Sequence, residues 1–277
     1  RSSDLAGSEQ SVCVFWHPER EVRVVVHGDD FTVLASEGEL DEFRQQISTS
    51  MTVKFKQRLT RGGNQSVRVL NRVVQVCGDG LECQADQRHA EIICRDVGLQ
   101  MESNPVSTPG VQSPVITSKE EVMNETMYRA VVARGNYLSQ DRPDVQYTAK
   151  ELSRMMSKPD VESYVRAKRL GRYLIGSPRV AMKYNVQDVP DVLTAWVDTD
   201  FAGCRDTRKS TSGGVAMLGS HCLKTWSSTR DVIVLSSGEA ELYGIVTGTT
   251  YAIVIRSLLE DLGVQVQIVV NTDASAA

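Results

Sequence analysis

The chain has 277 residues, 41% of them hydrophobic and 24% charged, an ordinary balance for folded globular protein and enough length for two domains. The net charge of −4 argues against a general polyanion binder, and no apolar run approaches the ~20 residues that a membrane-spanning helix needs. The opening residues, Arg1 to Ser8, have no apolar centre of a signal peptide, and the six cysteines form no Cys-x-x-Cys pair, so free thiols in a reducing compartment are expected.

The first element with chemistry in it runs from Val22 to Leu34, where two β-rich apolar runs meet at Gly28, Asp29 and Asp30. That is the pattern of a hairpin with two carboxylates at its tip. Ser36 and Glu39 then have capping-box spacing, and Leu40, Phe43 and Ile47 recur at helical period, which predicts a core-facing helix. Val53 and Phe55 alternate as in a half-buried strand, residues 61–64 turn, and Val67 to Val76 reads as a second strand. Asp86 to Val97 reads as a helix closed by Gly98. Cys77, Cys83, His89 and Cys94 fall close together around these elements, but their spacings fit no common zinc finger. Ser103 to Lys119, with three prolines and many hydroxyl residues, is the expected linker.

Beyond it, Val161 to Ile175 is helix-like, with Tyr164, Ala167, Leu170 and Leu174 as a core stripe. Residues 150–183 carry nine Lys and Arg, among them Arg166, Lys168, Arg169 and Arg172, against Glu151, Asp160 and Glu162. Two readings stand: a duplex lies across this segment, or it is a solvated helix face.

The last third holds the strongest pattern. A short apolar run, Leu193 to Val197, delivers Asp198, and a second, Ile268 to Val270, delivers Asp273; between them a predicted helix carries Glu241. Parallel neighbouring strands would bring the two aspartates side by side, and a helix packed on the sheet could aim Glu241 at the same point. Three carboxylates so close call for a divalent cation, and hard oxygen ligands select Mg²⁺ or Mn²⁺ over zinc. Glu239 competes for this role, but Ser236 to Glu239 has capping-box form. Glu241, two residues on, points ~200° away round the helix, on a face shared with Gly244, Ile245 and Gly248 that could approach a sheet closely.

These residues carry a family resemblance. Asp198 to Cys204, Arg208 to Gly213, Thr225 to Ser227, Leu235 to Glu241 and Asp273, in this order, resemble the ribonuclease H domain of copia-type LTR retrotransposon Pol polyproteins. The hairpin at Asp29 and Asp30 is similar to the Asp-Asp motif of the reverse transcriptase palm, with His27 and Gly28 where the family has tyrosine and a larger residue. Tyr128 to Leu138 and Arg142 to Tyr147 resemble the thumb and connection.

The resemblance implies an α/β fold, with an α+β palm and connection piece followed by a ribonuclease H-like mixed five-stranded sheet with helices. The units would be palm (1–100), thumb and connection (101–185) and ribonuclease H (190–277), the last truncated before a fourth carboxylate, and the palm lacking an earlier aspartate. The implied function is two-metal hydrolysis of the RNA strand of RNA–DNA hybrids, with Asp198, Glu241 and Asp273 holding two Mg²⁺ or Mn²⁺. Asp29, as metal ligand, and Asp30 would serve RNA-directed DNA synthesis in the full-length protein. Implied partners are the hybrid, template-primer nucleic acid and the integrase and protease segments of Pol, in an intracellular setting, a cytoplasmic virus-like particle or the nucleus. Arg208, Lys209 and Ser210 either touch the phosphate backbone or form a plain loop. A catalytically inactive nucleic-acid-binding remnant is the alternative; a transposase-like nuclease would leave the Asp-Asp hairpin unexplained.

Overall fold

A computed structural model describes residues 6–7 (backbone only), 13–78, 80–100, 102–111, 114, 116, 123–204 and 206–274. The described residues form three four-stranded sheets and six helices.

The first sheet is an antiparallel meander of β1 (Ala6–Gly7), β2 (Val14–His17), β3 (Val22–His27) and β4 (Asp30–Leu34). The expected carboxylate hairpin is β3–β4. His27 pairs with Asp30, so Gly28 and Asp29 are the turn, and only Gly28 has a positive φ, 62°, the signature of a type II′ turn. In α1 (Glu37–Ser50) the cap is half made. Ser36 Oγ accepts the Glu39 N–H at 3.5 Å, but the Glu39 carboxylate turns to Arg20. The predicted core stripe of Leu40, Phe43 and Ile47 is only half-buried, and α1 has no buried residue. No strand forms at Val53 and Phe55; the Phe55 ring instead carries the Arg44 guanidinium 4.4 Å from its centroid.

The second sheet orders β5 (Ser66–Val69), β6 (Arg72–Cys77), β7 (Gly80–Ala85) and β8 (Ala181–Asn185), all antiparallel. The run from Val67 to Val76 is therefore two strands. Leu70 and Asn71 both adopt positive φ, 46° and 64°, as a type I′ turn requires, although neither is glycine. β8 comes from beyond the helices and completes the sheet.

Those helices are α2 (Gln87–Asp96), α3 (Glu125–Leu138), α4 (Pro143–Ser153) and α5 (Val161–Gly176). Each start is explained locally: Asp86 and Asn124 cap α2 and α3, Pro143 opens α4, and Asp160 with Ser163 makes a capping box on α5. Gly98, at φ 71°, ends α2 in a Schellman motif, with Leu99 N–H to Cys94 O and Gly98 N–H to Arg95 O. The predicted α5 stripe is buried as read, against Ile93, Tyr128, Val131 and Leu138. Arg142, 2% exposed, joins the layer to the following turn: it pairs with Asp144 at 2.6 Å and donates to Ser177 O at 2.9 Å.

The expected linker lies partly outside the described residues; its described part is not loose. Arg172 donates to Asn104 O, Arg169 to Thr108 Oγ1 and Arg166 to Val111 O, at 2.7, 2.8 and 2.6 Å. Three of the four arginines and lysines singled out as a duplex-binding stripe thus hold the segment from Asn104 to Val111 onto α5.

The third sheet has β9 (Val192–Thr199), β10 (Thr211–Leu218), β11 (His221–Thr229) and β12 (Gln267–Asn271) in the order β11-β10-β9-β12. β9 is antiparallel to β10 and parallel to β12. Among the described residues it has four strands instead of the expected five, because β12 is followed by irregular chain to Ala274. Helix α6 (Ser237–Asp261) joins β11 to β12 and crosses one face of the sheet, and Gly263, at φ 79°, closes it in a second Schellman motif. One expectation fails on α6: by length and composition it is apolar enough to span a membrane. The structure sets its small-residue stripe of Gly244, Gly248 and Ala252 against the sheet and leaves Leu242, Val246 and Val254 exposed.

Candidate metal centre

Strand alternation places the first ligand. Leu193, Ala195, Val197 and Thr199 are buried under α6, whereas Asp198 is exposed at the end of the strand. The parallel register pairs Asn271 with Trp196, so two residues further along each strand Asp273 and Asp198 reach the same height. The third ligand depends on how closely α6 approaches. A Cβ on Gly244 would lie 2.3 Å from Thr199 Oγ1, and one on Gly248 2.3 Å from Val197 Cγ1. Only glycine permits that separation, and it brings Glu241, one turn before Gly244, down to the strand ends.

One carboxylate oxygen from each of Asp198, Glu241 and Asp273 lies within 4.8 Å of the others, and this is the one such cluster of three among the described residues. Burial, and then the neighbouring Asp198 and Asp273 carboxylates, raise the Glu241 carboxyl above its ordinary range, while hydrogen bonds from the Thr272 hydroxyl and the Thr199 amide pull the other way. The set is all carboxylate oxygen, two members are exposed and the third is destabilised as an anion. Such a donor set fits a hard divalent cation, whose charge would reverse the repulsion. Glu239 is absorbed locally, as anticipated, but its carboxylate accepts from the Leu235 amide at 2.7 Å instead of closing on Ser236.

Comparison with known proteins bears on what this cluster belongs to. No protein-family model matches the chain. The Retrovirus-related Pol polyproteins from transposons RE1 and RE2 of Arabidopsis thaliana are 34% and 35% identical to it over 166 residues, 59% of this chain. The chain is related to the Pol polyproteins of copia-type retrotransposons. It matches 11% of the length of each of those two relatives. The Uncharacterized mitochondrial protein AtMg00810 of Arabidopsis thaliana is 32% identical over 164 residues, 56% of this chain and 64% of its own length.

The remaining residues of this Pol-related chain that were singled out lie elsewhere. Asp29 and Asp30 are exposed at the tip of the first sheet, with Lys56 Nζ 3.6 Å from Asp30, and no cluster of three ligands includes them among the described residues. Ser210 is fully buried and its hydroxyl accepts the Ala202 amide at 3.0 Å, so it shapes the loop and cannot meet a duplex. Arg208 is exposed, at φ 56°, and Lys209 half-buried; Lys168 is exposed on α5.

Several residues around the cluster escaped the sequence reading. Buried Thr199 and Ser212 and half-buried Arg230 form a polar chain beneath α6: Thr199 Oγ1 is 2.8 Å from Ser212 Oγ, which accepts from Arg230 Nε at 2.9 Å. Serine and threonine in a run of polar residues gave no signal, and Arg230 belongs to no charge pattern. From the helical layer, Lys150 donates to Thr211 Oγ1 at 2.8 Å and Gln146 to Thr225 O at 3.3 Å, so α4 buttresses the strands that carry this chain.

Proposed function

We propose that residues 192–274 act as a ribonuclease H-like unit that hydrolyses the RNA strand of RNA–DNA hybrids. The observation that carries the reading is the meeting of Asp198, Glu241 and Asp273, from a strand end, a helix and a loop, at one point within 4.8 Å. The sheet order β11-β10-β9-β12, with α6 as the crossover between an antiparallel and a parallel strand, supports it, as does the relationship to retrotransposon Pol polyproteins.

In this reading Asp198 and Asp273, exposed at the strand ends, hold Mg²⁺ or Mn²⁺ from the solvent side, and Glu241 holds it from the helix. Bound there, a pair of such ions supplies activation of the attacking water and stabilisation of the leaving 3′ oxygen. Arg208 and Lys209, in the loop after β9, are placed to meet the phosphate backbone of a duplex that reaches Asp198, a contact that positions without reading sequence. RNA-directed DNA synthesis is proposed only for a longer protein that brings a third carboxylate to Asp29 and Asp30.

The test is cleavage of an end-labelled RNA–DNA hybrid in Mg²⁺ or Mn²⁺, with Asp198→Asn and double-stranded DNA as controls. Cutting of the RNA strand alone, lost in the variant and on chelation, is the expected result. A folded protein that binds the hybrid in a salt-dependent way but never cuts it would make the chain a binding remnant instead.

A further inference from the structure

We propose that Arg230 is a positioning residue for the Glu241 carboxylate, acting through the Thr199–Ser212 hydroxyl pair and the Tyr243 carbonyl. The inference rests on the metal-dependent reading above and adds to it the device that fixes the helix ligand against the strand ligands.

Arg230 follows the last residue of β11, and its own amide is anchored on Ser210 O at 2.8 Å. Its guanidinium then spans two elements. Nε donates to Ser212 Oγ on β10 at 2.9 Å, and Nη2 donates to the Tyr243 carbonyl of α6. Ser212 is fully buried and passes the contact to Thr199 Oγ1 at 2.8 Å, the residue next to Asp198. Tyr243 lies two residues after Glu241. One rigid planar fork thus connects the neighbour of a strand ligand with the helix turn that carries the third ligand, and the fork geometry sets both the distance and the angle between them. Gly244 closes the arrangement from above, since any Cβ there would strike the Thr199 hydroxyl at 2.3 Å.

The choice of partners is informative. Among the described residues Arg230 forms no ion pair, although Glu241 is within a turn of the carbonyl it reaches. Its half-buried charge, lowered in pKa by that burial, faces neutral groups: the Ser212 and Tyr243 oxygens and the Tyr243 ring, whose centroid is 5.7 Å away. A guanidinium bonded to Glu241 would occupy the lone pairs that a cation needs; bonded to Ser212 and Tyr243, it holds the helix in place and leaves the carboxylates open.

The test uses the full chain and the variants Arg230→Met, Arg230→Lys and Ser212→Ala, each first checked for folding by circular dichroism and thermal melting. Mn²⁺ affinity by electron paramagnetic resonance, hybrid cleavage split into kcat and KM, and hydrogen exchange along α6 are then measured. In Arg230→Met, Mn²⁺ affinity and kcat are expected to fall about tenfold or more, as for loss of a group that orients a metal ligand, with KM for the hybrid unchanged. Exchange is expected to rise in residues 237–248 and to stay as in the parent in 249–261. Lysine, a single ammonium without the fork, is expected to restore the melting temperature but not the Mn²⁺ affinity. Should Arg230→Met fail to fold, Ser212→Ala and Arg230→Lys carry the same readouts. Unchanged Mn²⁺ affinity in a folded Arg230 variant, or full rescue by lysine, overturns the proposal. A parent protein that binds no Mn²⁺ overturns the function proposed above, and the exchange pattern then still decides whether Arg230 pins the first turns of α6.

Discussion

Gly248→Ala isolates the claim that α6 must approach β9 closely. The added Cβ would sit 2.3 Å from Val197 Cγ1, whereas ordinary contact begins at 3.4 Å, so the helix has to retreat by about 1 Å or Val197 has to leave its rotamer. Alanine contributes about 1 kcal/mol over glycine in a helix interior, and overpacking a closed contact costs about 1–3 kcal/mol. The net expectation in urea unfolding is a loss of up to about 2 kcal/mol. Gly38→Ala on α1, where a Cβ meets nothing within 4 Å, is the control and is expected to gain about 0.5–1 kcal/mol. Function is expected to suffer more than stability, because Glu241 rides on the same helix. A displacement of about 1 Å at a catalytic constellation costs on the order of a hundredfold in rate, read here as Mn²⁺-dependent hybrid cleavage. A Gly248→Ala protein as stable as its parent and cutting at the parent rate would refute the close-packing argument.

Two further outcomes are expected. Because the Glu241 carboxyl is raised, chiefly by burial and then by Asp198 and Asp273, its protonated form favours the fold, so the contribution of this group to metal-free stability is fully present below the ordinary glutamate range and is lost as pH rises through the raised value. Glu241→Gln is therefore expected to stabilise the metal-free protein at neutral pH, to make little difference in acid and to abolish the stabilisation by Mn²⁺, all readable in thermal melts. Arg142→Met removes, from a site 2% exposed, the donor to Asp144 and to the Ser177 carbonyl; Asp144 is half-buried and keeps the Tyr173 hydroxyl at 2.9 Å, so a cost of about 1.5–3 kcal/mol in denaturant unfolding is expected for the lost charge-assisted bonds, and Asp144→Asn made together with it should recover part of that loss.

The legibility of this fold in its sequence varied with the kind of signal involved. Asp198 and Asp273 could be placed because each ends a short apolar run, and a run of that length next to a crossover helix leaves few geometries. Gly244 and Gly248 were readable as a close-packing face because they fall on the side of Glu241. For Ser210 the pattern left a phosphate contact and a plain loop both open, because a polar residue in a polar stretch looks exposed, and only the folded loop shows its hydroxyl capping Ala202. The arginines of α5 left two readings open for a similar reason: charge density was visible, but the carbonyls of Asn104 and Val111 that use it come from a segment with no pattern of its own. The I′ turn at Leu70 and Asn71 lacked the glycine that usually announces it, and the stripe of α1 had helical period without anything to say how fully it would be covered.

The pairing of β8 with β7 has a consequence for how the chain must be handled. Gln84 is opposite Ala181 and Gly80 opposite Asn185, so the second sheet is finished only after all the intervening helices have been made. Closure over so long a separation is slow, and until it happens β7 presents a row of unsatisfied amides and carbonyls, a template for another chain to add to. A cut made between the early sheets and the helical layer would make that condition permanent on one piece and leave β8 unpaired on the other. The part that holds β9 to β12, whose strands are buttressed by α4 and continue from β8, is tied to the first hundred residues by that strand and by Arg23, whose Nε donates to Leu262 O at 2.8 Å beyond the end of α6, and separate expression of the two halves is expected to yield self-associating material where the intact chain stays monodisperse in size-exclusion chromatography.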